Sequence, residues 1–322
     1  MNSRRWLIQS VSAVLFLLAG LSSCFVDTAT PVNDKELAIV SDYLVAKDTV
    51  LFKRFKEKYD CRVFIRTMTT DELIGYMRNA DHNSALDIVM MKSIHNVLIL
   101  NKNGVLHPLG KNERSFHVDS SYISAKYNYV GLGFDPFVLC YTTDTVPLIS
   151  NYSALSKTRH FNRLTNEDIL VFLSPMRKEQ TRVNFYSWTK QWRSQTTPFD
   201  AKDTLQAEFP ILALYSDFRT FPKSLKKYTI VNYPKGKKEG SYFNLRSIAI
   251  VRQAEHFTLA KNFISFYRNA GYNEDINLKL KTVPLFHSLL DSHNEFVPYP
   301  LNPEKALEYQ LTIERMLNKM ND

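Results

Sequence analysis

Between residues 36 and 105 a short apolar run is followed three times by a segment with apolar residues at helical spacing, and this alternation constrains the fold of the 322-residue chain more than any other feature. Leu37-Ala38-Ile39-Val40 ends at Ser41-Asp42. Leu51, Phe52, Phe55 and Tyr59 then recur with a helical period, and Lys53 and Glu57 are placed for an i,i+4 pair. Arg62-Val63-Phe64-Ile65 reads as a second strand, and Thr69 with Glu72 as a capping box ahead of Leu73, Ile74 and Met77. Asp87-Ile88-Val89-Met90-Met91 is the third strand. Its helix carries Ile94, Leu98 and Asn101 and is stopped by Gly104, which enters the left-handed conformation at no steric cost. Parallel strands need a crossover of helical length, so these units predict a parallel sheet with helices on its faces.

Beyond Gly131 and Gly133 the run Phe137 to Tyr141 is strand-like, and a less regular stretch extends to Lys238. It contains strand candidates Ile169 to Leu173, Ile211 to Tyr215 and Thr229 to Val231, with a helix through Phe185, Trp188 and Trp192. Strand character resumes at Ser247 to Val251. A helix carrying Leu259, Phe263, Ile264 and Tyr267 follows, ending near Gly271, and Glu304 to Met320 forms a last helix. The expected fold is α/β with two lobes joined by crossover strands: residues 36–136 and 247–322 form lobe 1, and residues 137–246 form lobe 2.

The N-terminus has a different logic. Arg4 and Arg5 precede an apolar run from Trp6 to Ala19 and the small-residue stretch Leu21-Ser22-Ser23-Cys24. That order is a cleavable secretion signal over residues 1–23. The run falls short of the ~20 apolar residues a membrane span needs, and polar Asp27, Asn33 and Asp34 follow without a basic stop-transfer cluster. Residues 24–35 have no apolar period and read as a tether. Losing Arg4 and Arg5 leaves 39 basic side chains against 32 acidic ones, a net charge of +7. No cluster of five or more Lys or Arg is present, and the densest run, Lys235-Gly236-Lys237-Lys238, reads as a solvated loop, so no nucleic-acid partner is expected. Export would expose Cys61 and Cys140 to an oxidising compartment, where a bridge is possible. Both sit in strand-like apolar runs, which favours two buried free thiols.

In doubly wound sheets, ligands lie at the carboxyl ends of the strands, where helix N-termini present backbone N–H groups. Those positions select Ser41, Asp42 and Tyr43, the loop Thr67-Met68-Thr69, and Lys92 with Ser93. The equivalent loops in the second lobe are Ser174-Pro175 and Tyr215-Ser216-Asp217, and Ser174, Thr181, Tyr215 and Ser216 are the expected ligand contacts there.

Leu-Ser-Ser-Cys resembles the lipobox of bacterial lipoproteins, which implies acylation of Cys24 and attachment to a membrane of the cell envelope, facing the periplasm or the cell surface. The order of the mature segments resembles the periplasmic solute-binding proteins of ABC importers, in the class that includes ferric-iron, thiamine and phosphonate binders. The carriers are Leu37 to Val40, Leu51-Phe52-Lys53-Arg54-Phe55-Lys56-Glu57-Lys58-Tyr59, Asp87-Ile88-Val89 and Asn103-Gly104-Val105-Leu106-His107-Pro108-Leu109. Cys140-Tyr141-Thr142-Thr143-Asp144 is similar to the crossover strand of the class, and Ser247 to Val251 with Phe257 to Tyr267 to its return strand and helix. The resemblance implies capture of a small molecule in an inter-lobe cleft, an ABC permease as partner, and no cofactor. Ferric-iron binders of the class use a histidine, a glutamate and two adjacent tyrosines. Here Lys92 stands where that glutamate would be, Tyr215-Ser216-Asp217-Phe218 lacks a tyrosine pair, and Ser41-Asp42-Tyr43-Leu44 lacks a histidine. A hard cation needs carboxylate or phenolate oxygens, so no metal site is expected. Lys92 beside a helix N-terminus favours an anionic ligand, such as a phosphorylated or carboxylated small molecule. The chain lacks Gly-x-Ser-x-Gly, P-loop and Gly-x-Gly-x-x-Gly motifs and a histidine pair at i,i+4 spacing, so a hydrolytic enzyme is the weaker alternative. A surface or sensor lipoprotein of the same fold is the other alternative.

Overall fold

The computed structural model describes residues 35–43, 50–79, 86–109, 128–141, 147–199, 210–221, 230–236, 240–267, 282–284, 296–300 and 303–321. The signal segment 1–23, Cys24, the tether up to residue 34 and the helix stop at Gly271 lie outside these residues.

The three predicted strand–helix units form as expected: β1 (Glu36–Ser41) and α1 (Val50–Tyr59), β2 (Arg62–Thr67) and α2 (Thr70–Asn79), β3 (Ile88–Met91) and α3 (Ile94–Lys102). β1 pairs in parallel with β2 on one side and β3 on the other. The capping box closes reciprocally: Thr69 N–H donates to Glu72 Oε2 at 2.7 Å, and Glu72 N–H to Thr69 Oγ1 at 3.2 Å. Ser93 caps α3, and Gly104 follows that helix with φ +74°. Both faces of this sheet are covered, and the pleat sends alternate residues to each. Leu37, Ile39, Ile88 and Met90 face a cluster with Leu51, Phe52 and Phe55 of α1, where the Phe52 ring stacks on Phe263 at 5.6 Å. Val40, Val89 and Met91 face the opposite cluster with Leu73 and Leu98.

β4 (Val130–Tyr141) organises the rest: all twelve of its residues are buried. From Val130 to Pro136 it pairs antiparallel with β9 (Phe243–Ile250), with a register shift between Gly131 and Gly133. From Phe137 onward it changes neighbours and pairs with β7 (Ile211–Leu214) and β8 (Ile230–Asn232). β5 (His160–Asn162) runs parallel to both β7 and β6 (Thr196–Pro198). The strand order is β2-β1-β3-β9-β4-β7-β5-β6, with β8 and β10 (Val283–Pro284) pairing off this path with β4. α5 (Arg182–Gln195), α6 (Tyr215–Phe218), α7 (Phe257–Tyr267), α8 (Pro303–Asn321) and a single 3-10 turn at Tyr152–Ser156 complete the described helices apart from one.

That one corrects the sequence reading. Ile169 to Leu173 is not a strand but lies inside α4 (Asn166–Glu179). Five consecutive apolar residues carry no period, and a helix buried on all sides produces the same run. The local signal is at the N-terminus, where Thr165 Oγ1 accepts the Asp168 N–H at 3.2 Å and Glu167 and Asp168 occupy the first turn. Leu170 to Met176 are all buried, in an apolar cluster that runs from Val40 and Leu98 through β4 to Phe172 and Trp188. α8 packs against α4 and α3. Lys35–Asp322 is one compact unit, and no helix among the described residues is long and apolar enough to cross a membrane. Cys61 and Cys140 are buried and free.

Candidate functional site

The carboxyl ends of β1 and β3 are adjacent, so the residues that follow them are brought together by pairing alone. Ser41 pairs with Met90 in the ladder, and Asp42 N–H donates to the Met90 carbonyl at 3.4 Å. Asp42 then turns across the β3–α3 junction. Its Oδ1 accepts the Lys92 N–H at 2.6 Å, and its Oδ2 accepts from Asn96 Nδ2 at 2.7 Å. Ser41 Oγ accepts the Tyr43 N–H at 3.3 Å, which holds the turn. Lys92, about one-quarter exposed, extends Nζ to within 3.9 Å of Asp168 Oδ2 at the start of α4.

Asp168 is held from two further sides. Thr165 Oγ1 donates to its Oδ2 at 2.9 Å, and Asn244 of β9 donates to its Oδ1 at 2.8 Å. The Asn244 Oδ1 accepts the Ile94 N–H of α3 at 3.1 Å. Ser93 Oγ takes the His95 N–H at 3.2 Å, and the Ser93 carbonyl takes the Asn96 N–H at 3.1 Å. The first amides of α3 therefore have acceptors from within the chain, and the expectation that they are free for a ligand is corrected. Capping and a nonlocal asparagine use them to join α3 to β9 and α4.

The second half of the site centres on Asp135 of β4. It accepts the Ser216 N–H at 2.9 Å and the Ser216 hydroxyl at 2.6 Å, and Arg246 Nη2 lies 3.3 Å from its Oδ2. The guanidinium carbon of Arg246 sits 4.9 Å above the Tyr43 ring centroid. Among the described residues, Arg246 Nε and the Tyr267 hydroxyl are buried without a hydrogen-bond partner, and the buried Tyr43 hydroxyl has the Arg246 guanidinium beside it. An N–H without an acceptor beside two hydroxyls makes this corner rich in donors.

Of the residues selected from sequence, Ser41, Asp42, Tyr43, Lys92 and Ser93 form one contiguous corner, whereas Thr67 ends β2 and Thr69 is spent on the capping box of α2. Ser216 joins it through Asp135 and Arg246, and the preceding Tyr215 stands at the start of α6 with its ring near Phe218 and Tyr233. Ser174 is a correction. It lies inside α4, fully buried, and its hydroxyl donates to the Leu170 carbonyl at 2.7 Å. Its selection rested on the misread strand. Thr181 is the exposed N-cap of α5 and accepts the Asn184 N–H. Sequence reasoning missed Asp135, Asp168, Asn244 and Arg246, whereas Asp217 lies in a loop it selected. Only Arg246, a lone cation within an apolar run, carried a local signal.

Burial dominates the electrostatics. It raises the carboxyl groups of Asp42, Asp168 and Asp217 above the ordinary 3.8, against the hydrogen bond from Asn96 to Asp42 and the charge of Lys92 beside Asp168 and Asp217. Burial also pushes the Tyr43 hydroxyl up to about 12, so it is a neutral donor at physiological pH. Among the described residues, no group of three or more His, Cys, Asp or Glu side chains is arranged to hold a metal ion.

No protein-family model and no curated protein matches the chain. Solved structures do. Trichodesmium IdiA (FutA), in complex with iron and citrate, aligns with a TM-score of 0.77 at 15% identity over 88% of this chain and 98% of its own. The ferric binding protein from Campylobacter jejuni aligns at 0.76 with 16% identity over 88% and 98%. The periplasmic binding protein AfuA from Actinobacillus pleuropneumoniae, with fructose-6-phosphate bound, aligns at 0.66 with 11% identity over 88% and 97%. These neighbours are binding proteins, and the architecture described above is the α/β fold of the periplasmic binding proteins.

Proposed function

We propose that this chain is a membrane-anchored solute-binding protein that captures a small anionic molecule between two lobes and delivers it to an ABC permease. The lobes would comprise residues 36–136 with 247–322, and residues 137–246. Lys92 and Asp42 lie on one side, and Ser216 and Asp217 on the other. Cys24 would carry the lipid, holding the protein on a cell-envelope membrane, facing the periplasm or the cell surface.

The observation that carries the anionic reading is the donor-rich corner. Among the described residues, Arg246 Nε and the Tyr267 hydroxyl are buried without partners, the Tyr43 hydroxyl meets the Arg246 guanidinium, and Lys92 stands nearby with one ion-pair contact, at 3.9 Å. Buried donors left unsatisfied cost about 1–3 kcal/mol each, and a carboxylate or phosphate oxygen would satisfy them. Asp217 sets a second requirement. A raised carboxyl group beside Lys92 suits a ligand that also presents hydroxyl donors. Citrate and fructose-6-phosphate, held by two structural neighbours, are both hydroxylated anions. A bare ferric ion suits the site less well, because Asp42, Asp135 and Asp168 already accept hydrogen bonds from within the chain.

A thermal-shift screen of the mature protein against hydroxylated carboxylates, sugar phosphates and ferric ion tests the proposal. A ligand at 100 times its Kd adds about 2.7 kcal/mol of stability. For an anion found this way, Lys92→Ala should weaken binding about ten- to a hundredfold by calorimetry, the loss of a charge-assisted hydrogen bond. Unchanged affinity, or ferric ion alone as the ligand, refutes it.

A further inference from the structure

A groove of ≈ 960 Å³ lies between the C-terminal end of α4 (opposite the first turn that carries Asp168), the start of α5 and the last turns of α8. Four cations line it: Arg177, Arg182, Arg315 and Lys319. Among the described residues no carboxylate lines it, and none of the four forms a salt bridge. Arg177 and Arg315 each spend one guanidinium N–H on a local carbonyl, of Gln180 and Leu311, which leaves their other donors uncommitted. Between the cations the surface is apolar, with Phe185 and Ile313 buried and Val183 77% exposed at the rim beside Tyr186.

Helix electrostatics explain only half of this set. Arg177 and Lys319 occupy last turns, where a cation complements the dipole. Arg182 is the first residue of α5, a helix with no acidic side chain in its first turn, so its charge opposes the dipole there. It also stands in the same groove as three like charges, and repulsion among them favours an anionic occupant. The highly exposed Val183 next to it presents apolar surface that water solvates poorly, and exposed apolar surface rimmed by charge marks an interaction site. A volume of this size suits a small ligand with a tail.

We propose that this groove is a second binding site, for an amphiphile with a single anionic head and one apolar tail. The head is held by Arg182 and Arg315, and the tail lies on Val183, Tyr186 and Met316. Charge complementarity selects the head, and the apolar surface between the cations selects the tail.

The test uses the mature lipidated chain in phosphatidylcholine nanodiscs, titrated calorimetrically with octyl phosphate, octyl glucoside and inorganic phosphate. Octyl phosphate should occupy one site per chain, at least tenfold more tightly than either control. The exposed double variant Arg182→Gln with Arg315→Gln, shown to be folded by its melting curve, should lose at least tenfold in affinity, and Lys92→Ala should lose none. The proposal is overturned if octyl phosphate does not bind or a control binds as tightly. Retained affinity in the double variant also overturns it, as does a loss confined to Lys92→Ala, which would move the binding to the site at β1 and β3.

Discussion

Replacing Arg246 with methionine removes a guanidinium from an ion pair whose side chains are 6% and 0% exposed. The Asp135 carboxylate would stay buried, holding only the two hydrogen bonds from Ser216 at 2.9 and 2.6 Å. Breaking a buried pair from one side costs about 3–5 kcal/mol because an uncompensated charge remains. The two Ser216 donors soften that cost, which places the expected loss near the lower bound, about 3 kcal/mol. At roughly 2–4 °C per kcal/mol for a chain of this size, the melting point falls by about 6–12 °C. Urea unfolding of the mature protein measures the loss as a shift in midpoint at constant slope. The double variant Arg246→Met with Asp135→Leu removes the orphaned carboxylate, so it should lose less than the two single variants together, with a coupling of about 1–3 kcal/mol. Stability of Arg246→Met within about 0.5 kcal/mol of the parent would refute the argument, and so would strict additivity.

Three further outcomes are expected. Cys24→Ser should leave the protein unprocessed or released from the membrane, since the thiol is the proposed acyl acceptor; normal membrane retention in cell fractionation contradicts the lipid assignment. Asp168 and Asp217 have folded-state pKa values above 3.8, so as pH falls through those values each takes up a proton, its burial cost is relieved, and a negative charge beside Lys92 is lost. Anion affinity should therefore rise as pH falls through those raised values, measured by calorimetry with an anion whose own charge does not change there, and the opposite trend counts against the site. Gly240→Ala would place a Cβ 2.4 Å from the Cα of Tyr299, which is backbone and cannot swing aside. The expected loss is about 1–3 kcal/mol, and an unchanged melting curve would be inconsistent with this packing.

The sequence made the β1–β3 half legible because each element there is marked twice: by a period, as with Leu51, Phe52 and Phe55, and by an end signal, as with Thr69–Glu72 or Gly104. α4 was misread because Ile169 to Leu173 has no period, and Ser174 was misplaced with it. The partners of the site were hidden for a different reason. Arg246 meets Asp135 111 residues away, and Asn244 meets Ile94 150 residues away, so neither role has a local pattern. Starting the return strand at Ser247 instead of Phe243 left both residues outside the element that positions them.

Small-angle X-ray scattering of the mature protein, with and without the anion that most raises its melting point, tests the central claim most directly. Capture between two hinged lobes predicts a smaller radius of gyration with ligand, and for Lys92→Ala the same compaction only at a ligand concentration about ten- to a hundredfold higher. A saturating ligand that leaves the radius unchanged, or a panel of anions in which none binds, would contradict the account.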